Sequence, residues 1–495
     1  MVKPKNTTEF NIPPEVSRVT SELKKAGYEA YIVGGCVRDL LLGKKPKDWD
    51  VTTNATPEQI IGLFKDTFYE NDYGTVGVVN EDVSHETLKV IEVTPYRIES
   101  GYSDNRRPDS VTFSTNLKDD LKRRDFTINA LAYDPDTAEL VDLYNGQKDL
   151  QNKLIRAVGN PDERFKEDGL RILRAIRLQA ELGFEIEPET QKALSENAAL
   201  LKNIAVERIR EEFNRILLSA DPSEALRLCQ KTAVLSHIMP ELEEGIGIDQ
   251  NKAHAFDVWN HLMKTVQHAA KKKFSLPVRL AALLHDIAKP ATRRWSPEKK
   301  EWTFYGHDVV GERTVLKILK RLKYPKDLID QVTKLVRWHM FFSDTEKITL
   351  SAVRRLIANV GQENIWELMN VRTADRIGTG RPKESPYRLR KYHSMVEEAM
   401  HDPISVSMLK ISGGGVIETT GLTPGPKIGF ILHALLEEVL DDPKKNTTDY
   451  LEKRSMELSK LADKELESLG KEAREKKEQE QEKVVHEIRK RHWVE

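Results

Sequence analysis

The sequence predicts an α/β head followed by all-helical domains, and three observations carry that expectation. Up to about residue 140, short β-rich runs at 30–33, 75–79, 88–94, 111–113 and 130–133 are mixed with helical patterns. From about residue 150 onward, apolar residues recur at three- and four-residue spacing, as at 170–178 and 276–287, which is the period of an α-helix. At 495 residues the chain is too long for one ordinary core, and about three domains are expected.

Composition narrows the class. The formal net charge is −1, so bulk charge offers no support for nucleic-acid binding. RNA contacts would fall to local clusters such as Lys271, Lys272 and Lys273, or Arg293 and Arg294, which read equally well as solvated faces. Cys36 and Cys229 lie far apart in no metal-like spacing, as in a reducing compartment without disulfides. Residues 1–10 carry no apolar signal core, and no apolar run approaches the ~20 residues that span a bilayer. A soluble cytoplasmic protein with no membrane partner is expected. Residues 101–108 read as an exposed loop, 381–386 as a second break, and the Lys/Glu-dense stretch 461–495 as a solvated helical tail. There is no internal repeat.

The first element of chemical interest is the buried strand at 30–33, which runs into Gly34 and Gly35. Paired glycines let the backbone approach an anionic ligand closely. A helix opening at about Cys36 adds free N–H groups and places Arg38 to meet a phosphate oxygen. Residues 49–53 read as the next strand, with Asp48 and Asp50 emerging on one face. Two adjacent carboxylates repel unless a cation lies between them, and hard oxygen ligands suit Mg²⁺. The bland alternative is a Gly turn followed by a solvated Asp pair. Glu92, within the run 88–94, is the best candidate for a third carboxylate, although a lone mid-strand Glu is more often solvated.

Three more stretches follow in order: Arg123, Arg124, Asp125, Phe126, Thr127, Ile128, Asn129 and Ala130; then Asp142 to Leu150; then Glu167 and Asp168 with Arg171, Arg174 and Arg177. With Gly34, Gly35, Arg38, Asp48 and Asp50, this set resembles the nucleotidyltransferase superfamily. The resemblance is to the bacterial class that includes CCA-adding tRNA nucleotidyltransferases and poly(A) polymerases. It implies a polymerase-β-like mixed sheet and transfer of a nucleotide onto a 3′-hydroxyl, with two metal ions between Asp48 and Asp50. The resemblance gives Arg123, Arg124, Asp125 and Asn129 the triphosphate and ribose, and 142–150 a hinge. Chemically, Arg123 and Arg124 offer bidentate donors for a triphosphate, or alternatively form a solvated basic surface.

Positions three and four apart share a helix face, so Glu167 or Asp168 can reach Arg171, while Arg171, Arg174 and Arg177 form a drifting row. Taken alone, these are surface ion pairs worth tenths of a kcal/mol each, about 0.3–0.5 for helix pairs. The resemblance instead assigns Asp168 and Arg171 to the edge of the incoming base, with Glu167 orienting Arg171. A carboxylate accepts from the exocyclic amino group that cytosine and adenine both carry, whereas uracil and guanine present the wrong pattern. Tyr96, Arg97, Ile98, Glu99 and Tyr102, then Arg106, Arg107, Pro108 and Asp109, resemble the family's flexible loop, associated with the switch from adding C to adding A. Residues 207–212 resemble its last helical motif, read here as a scaffold without a catalytic role.

In the helical half, His261, His285, Asp286, His307, His339 and Asp375 form an ordered set, with His285 and Asp286 at the polar end of the apolar run 280–284. Imidazole with carboxylate suits Ni²⁺, Mn²⁺, Co²⁺ or Mg²⁺. A lone core His is usually structural. The order, however, resembles HD-superfamily phosphohydrolases, in which such residues converge on metal, and the likeness spans about 256–377. It implies hydrolysis of phosphate esters, such as 2′,3′-cyclic phosphates or 2′-nucleotides at damaged RNA ends, by metal-activated water.

The resulting division is a nucleotidyltransferase head at 1–140, a helical neck and RNA-binding region at 141–250, an HD phosphohydrolase-like domain at 251–400 and a helical tail at 401–495. The expected activity is addition of C, C and A to tRNA from CTP and ATP, with the acceptor arm held by shape and phosphate contacts. Two alternatives stand beside it: a poly(A) polymerase, and an HD-type hydrolase whose head only senses nucleotides. The Lys/Glu-balanced tail counts against the first, and paired metal carboxylates count against the second.

Overall fold

The computed structural model describes residues 9–69, 74–81, 83, 85–100, 110–250, 255–341, 348–463 and 465–466. It divides into two compact units, Met1–Pro240 and Glu241–Glu495. Of the expected elements, Tyr102, Arg106, Arg107, Pro108 and Asp109 lie outside the described residues, as does nearly all of the 461–495 tail.

The first unit opens with α1 (Pro14–Lys25), β1 (Ala30–Val33), α2 (Gly35–Leu41), β2 (Asp50–Thr53) and α3 (Pro57–Leu63). It continues through β3 (Thr67–Tyr69), β4 (Val76–Val79), β5 (Val90–Pro95), β6 (Arg97–Ser100), β7 (Ser110–Phe113), α4 (Leu117–Lys122), β8 (Leu131–Asp134) and β9 (Glu139–Asp142). Seven of these strands form one sheet in the order β3-β4-β5-β2-β1-β8-β9. Only β2 and β5 pair in parallel; the other neighbours are antiparallel. Ile32, Val33, Val51, Ile91 and Val93 are fully buried in this sheet, and their β-branched side chains fill it well. Pro57 at the first turn of α3 and the reciprocal Thr56–Gln59 capping box start that helix sharply.

After α5 (Gly146–Gln151) and the short strand β10 (Leu154–Ile155), the unit becomes helical: α6 (Pro161–Glu167) and α7 (Leu170–Leu182), then, beyond β11 (Glu185–Ile186), α8 (Pro188–Asn197), α9 (Val206–Leu218), α10 (Pro222–Lys231) and α11 (Leu235–Ile238). Two local expectations need correction. Tyr96 to Glu99 is not a loop: β6 pairs with β7, and Tyr96 is buried with its hydroxyl donating to Glu29 Oε2 at 3.1 Å. Nor is 167–177 one helix. Asp168 is extended, its Oδ1 accepts the N–H of Leu170 at 3.0 Å, and a Cβ at Gly169 would lie 3.1 Å from Leu200 Cβ. The chain therefore stops α6, turns at Asp168 and restarts as α7, which continuous periodicity cannot reveal.

The second unit comprises α12 (Val258–Lys271), α13 (Leu276–Leu284), α14 (Lys289–Thr292), the hairpin β12 (Arg294–Ser296) with β13 (Glu301–Thr303), α15 (His307–Arg321) and α16 (Lys326–Trp338). It continues with α17 (Leu350–Val360), α18 (Ile365–Gly378), α19 (Tyr387–Ala399), α20 (Gly413–Thr420), α21 (Pro426–Asp441) and α22 (Thr448–Ser459). Helices α12, α13 and α18 pack mutually, with Ala269, Ala282 and Ala374 at their centre. Small residues there let the helix backbones approach, which draws their polar ends together. Among the described residues, no helix is long and apolar enough to cross a membrane.

Candidate functional site

The first unit contains a cleft of about 910 Å3, and Gly34, Gly35, Arg38, Asp48, Asp50, Arg123, Arg124, Asp125, Asn129, Asp168, Arg171, Arg174 and Arg177 all line it. Gly34 has φ 88°, a left-handed turn that suits glycine, and a Cβ there would stand 3.0 Å from Arg124 Nη1 and 3.4 Å from Asp50 Oδ2. The glycine thus admits a cation and a carboxylate beside the backbone. Asp50 opens β2, while Asp48 precedes the strand in an exposed bend; Trp49 is tied in by its carbonyl, which accepts from the Glu92 N–H at 3.1 Å.

The parallel register sets Asp50 directly opposite Glu92 on β5, and both face the cleft. Burial, with Glu92 and Asp48 beside it, pushes the Asp50 carboxyl up to about 7, against Arg124 and Arg174. Asp48, Asp50 and Glu92 together are an all-oxygen set, and that chemistry fits Mg²⁺, which keeps waters and takes further oxygens from a phosphate.

Arginines surround this set, each anchored from behind. Asp120 is fully buried; against that burial Arg123 and Arg124 hold its carboxyl below the usual range, with Arg123 Nε donating at 2.9 Å and Arg124 Nη2 at 3.1 Å. Arg38 Nη1 donates to Asn129 Oδ1 at 2.7 Å, and Asn129 Nδ2 donates to Asp125 Oδ1 at 3.1 Å. Asp125 also accepts from Arg174 Nε at 2.8 Å; despite burial, Arg174 and Asn129 keep its carboxyl well below the ordinary range.

At the break between α6 and α7, Arg171 Nη1 donates to Glu167 Oε2 at 2.6 Å and to the Arg164 carbonyl at 3.1 Å, and Nη2 to the Arg123 carbonyl at 2.8 Å. Arg177 differs from its neighbours: its Nε meets Glu212 and its Nη1 meets Glu181, each at 2.6 Å, so its charge is already compensated. Two residues named in the sequence take places other than those read for them. Arg208, in the stretch read as a scaffold, reaches Asp168 Oδ2 at 3.1 Å, and Arg97 lines the cleft from β6. Only the packing of α9 against α7 identifies the first of these.

The second unit holds a different centre. His261, His285, Asp286, His307, His339 and Asp375 are all buried, and they come together from α12, the end of α13, the start of α15, the end of α16 and α18. Asp286 divides its oxygens between two groups. Its Oδ2 lies 3.2 Å from both His261 Nε2 and His285 Nε2, and its Oδ1 lies 3.3 Å from His307 Nε2 and 3.6 Å from His339 Nε2. Asp375 Oδ1 joins the first group at 3.3 Å from His261 and 3.6 Å from His285. Two triads, His261–His285–Asp286 and Asp286–His307–His339, each bring ligand atoms within 4.8 Å of one another.

Ring orientation explains what this can bind. Nδ1 of His285, His307 and His339 each faces a carbonyl three residues earlier, at 3.1, 2.6 and 2.6 Å, so Nδ1 carries the proton and Nε2 points its lone pair inward. Yet His261 Nε2 and His285 Nε2 stand 3.0 Å apart, and His307 Nε2 and His339 Nε2 stand 3.3 Å apart. Converging lone pairs require a shared proton or a cation. Burial opposes a charge on His285, but Asp286 and Asp375 push it up to about 9; the same carboxylates favour a divalent ion in the proton's place. Burial pushes His339 down to about 4, keeping it neutral and able to ligate. Lys289, also buried, donates to Asp286 Oδ2 at 2.6 Å and to Gln250 Oε1 at 2.6 Å.

Family models match three consecutive stretches: a "Poly A polymerase head domain" at 30–156, a "Probable RNA and SrmB- binding site of polymerase A" at 183–246, and an HD domain at 254–379. The chain is 35% identical over 441 residues to a CCA-adding enzyme of Lactiplantibacillus plantarum, covering 88% of this chain and 93% of that one. It is 34% identical to a CCA-adding enzyme of Leuconostoc mesenteroides, over 89% and 95% of the two chains. Among solved structures, the Bacillus stearothermophilus CCA-adding enzyme in complex with CTP aligns with a TM-score of 0.67 at 28% identity, over 90% of this chain and 98% of that one.

Proposed function

The chain belongs to the bacterial CCA-adding enzyme family, and from that premise we propose that it adds C, C and A to the 3′ end of tRNA from CTP and ATP and carries a separate phosphohydrolase centre. The observation that carries the first activity is the shared cleft. Asp48, Asp50 and Glu92 lie in the same cavity as Asp168 and Arg171, so one nucleotide can meet both sets. Likeness to CCA-adding enzymes along most of the chain favours this reading over the poly(A) and nucleotide-sensing alternatives.

Asp48, Asp50 and Glu92 would hold the metal ions, whose role is to stabilise the attacking and leaving oxygens of an in-line displacement. Arg38, Arg123, Arg124 and Arg174 bind the triphosphate; their carboxylate and amide anchors fix them beforehand, which lowers the cost of orienting them at reaction. Asp168 accepts from the exocyclic amino group of cytosine or adenine. Three N–H donations from Arg171 hold its guanidinium plane, and its remaining donors meet the ring acceptors. Arg208 steadies Asp168 from the opposite side. Arg177 serves this arrangement as a tie between α7 and α9 rather than as a nucleotide ligand.

In the second unit His261, His285, Asp286, His307, His339 and Asp375 would hold a divalent ion, a donor set that suits Ni²⁺, Co²⁺ or Mn²⁺, and Lys289 fixes the orientation of Asp286. Phosphate esters at RNA ends, including 2′,3′-cyclic phosphates, are the proposed substrates. The test is to give the protein tRNAs ending before, within and just short of CCA, with each nucleotide separately. Ordered incorporation of C, C and A supports the reading, whereas repeated A addition would return the poly(A) alternative.

A further inference from the structure

The β12–β13 hairpin is inserted between two residues of the histidine–aspartate centre, following Asp286 through α14 and leading into His307. The Phe304 carbonyl, just past β13, is the one that orients the His307 ring at 2.6 Å. Tyr305 is two residues from His307, hence within about 7 Å along the chain. Large aromatic surface is exposed here: Trp295 at 52% and Tyr305 at 65%. Cations are interleaved with it. The Arg293 guanidinium lies 3.8 Å from the Trp302 ring centroid, and Lys299 Nζ lies 3.2 Å from the Tyr305 hydroxyl. From residue 293 to 305, Arg293, Arg294, Lys299 and Lys300 outnumber Glu298 and Glu301, in a chain whose net charge is −1.

Trp295 and Trp302 are cross-strand partners with centroids 5.3 Å apart, and that pair by itself stabilises a short hairpin. It accounts neither for the exposed Tyr305 nor for the excess of cations. Exposed rings flanked by Lys and Arg provide stacking faces for unpaired bases and counter-charge for their phosphates. We propose that this hairpin is a platform for single-stranded RNA, holding the nucleotides next to the phosphate presented to the histidine–aspartate centre. The placement of that phosphate rests on the phosphohydrolase reading; the binding of single strands does not.

The test uses the full chain and the double variant Trp295→Ala with Tyr305→Ala. Both are titrated with a labelled single-stranded oligoribonucleotide and with an RNA duplex of the same length. Stacking losses of this kind weaken single-strand binding at least about tenfold, with duplex affinity, oligomeric state and CMP addition unchanged. On an oligoribonucleotide ending in a 2′,3′-cyclic phosphate, KM rises by a similar factor, while a 2′,3′-cyclic mononucleotide is affected less. Lys299→Ala with Lys300→Ala lowers the salt dependence of single-strand binding by about 0.7 in logarithmic slope per lost phosphate contact. Unchanged single-strand affinity overturns the proposal. So does an equal loss of duplex affinity, or a change of oligomeric state, which would make the hairpin an interface between copies. If wild-type protein hydrolyses neither substrate, the phosphohydrolase reading fails and the binding titration alone decides the hairpin.

Discussion

The head cleft and the histidine–aspartate centre are both candidate metal sites, yet they are built on opposite principles. In the head, Asp48 is exposed, Asp50 is partly covered, and the carboxylates come from a bend and two neighbouring strands. In the helical unit six ligands are buried, and among the described residues only there do three ligand atoms fall within 4.8 Å of one another. The difference follows from what each partner brings. A nucleoside triphosphate supplies oxygens of its own, so a half-built oxygen site with arginines around it suffices. A centre that keeps its ions between turnovers would need the complete set from the protein, and three of the four imidazoles are fixed by a carbonyl behind them.

If that contrast is right, the two centres should fail separately. The largest effect is expected for Asp50→Ala. Removing a ligand that stabilises both reacting oxygens forfeits several kcal/mol, so CMP and AMP incorporation into tRNA should fall more than about a thousandfold. Metal-dependent phosphohydrolysis by the same folded variant should persist. Loss of both activities would sink the separation.

Next comes the helical unit. A tightly bound ion present at a hundred times its dissociation constant stabilises the fold by about 2.7 kcal/mol. Ni²⁺, Co²⁺ or Mn²⁺ should therefore raise the thermal midpoint of wild-type protein more than Mg²⁺ does. His285→Ala should abolish that increment and the phosphohydrolase activity while leaving tRNA extension largely intact. A His285→Ala protein that no longer extends tRNA would mean that the helical unit serves the head.

A smaller effect sharpens the head alone. Asp168→Ala or Arg171→Ala removes a base-edge partner, worth about 1–3 kcal/mol of discrimination. The ratio of CTP and ATP incorporation to that of UTP and GTP should fall roughly five- to a hundredfold, with tRNA affinity little changed. Unaltered selectivity would reduce α6 and α7 to an ordinary charged surface. The smallest shift is expected for Arg208→Ala. It loses one charge-assisted hydrogen bond to Asp168 near the surface, so selectivity should drop by no more than about tenfold. Arg177→Met should leave selectivity alone and lower thermal stability, because Glu212 then loses a buried partner. Competition assays with paired nucleotides and thermal unfolding measure the two.

Local pattern carried a great deal of this protein. The α/β head, the helical remainder, the Gly34–Gly35 turn, the Asp48/Asp50 pair and the His285–Asp286 dyad are features of consecutive residues, and backbone periodicity with side-chain chemistry suffices to read them. What the sequence left ambiguous is what depends on distant strands and helices meeting. Glu92 was one mid-strand Glu until parallel pairing set it against Asp50. Arg208 belonged to a row of helix ion pairs until α9 packed on α7 and turned it toward Asp168, while the same packing drew Arg177 away to Glu212. Asp168 sat in a helical pattern, yet its backbone is extended and its carboxylate accepts the Leu170 N–H, so one helix ends there and the next begins. Motif composition, in short range, determined which chemistries this chain can hold. Register and helix packing, which bring together groups far apart along the chain and therefore leave no local signal, decided which of those residues face the same ligand.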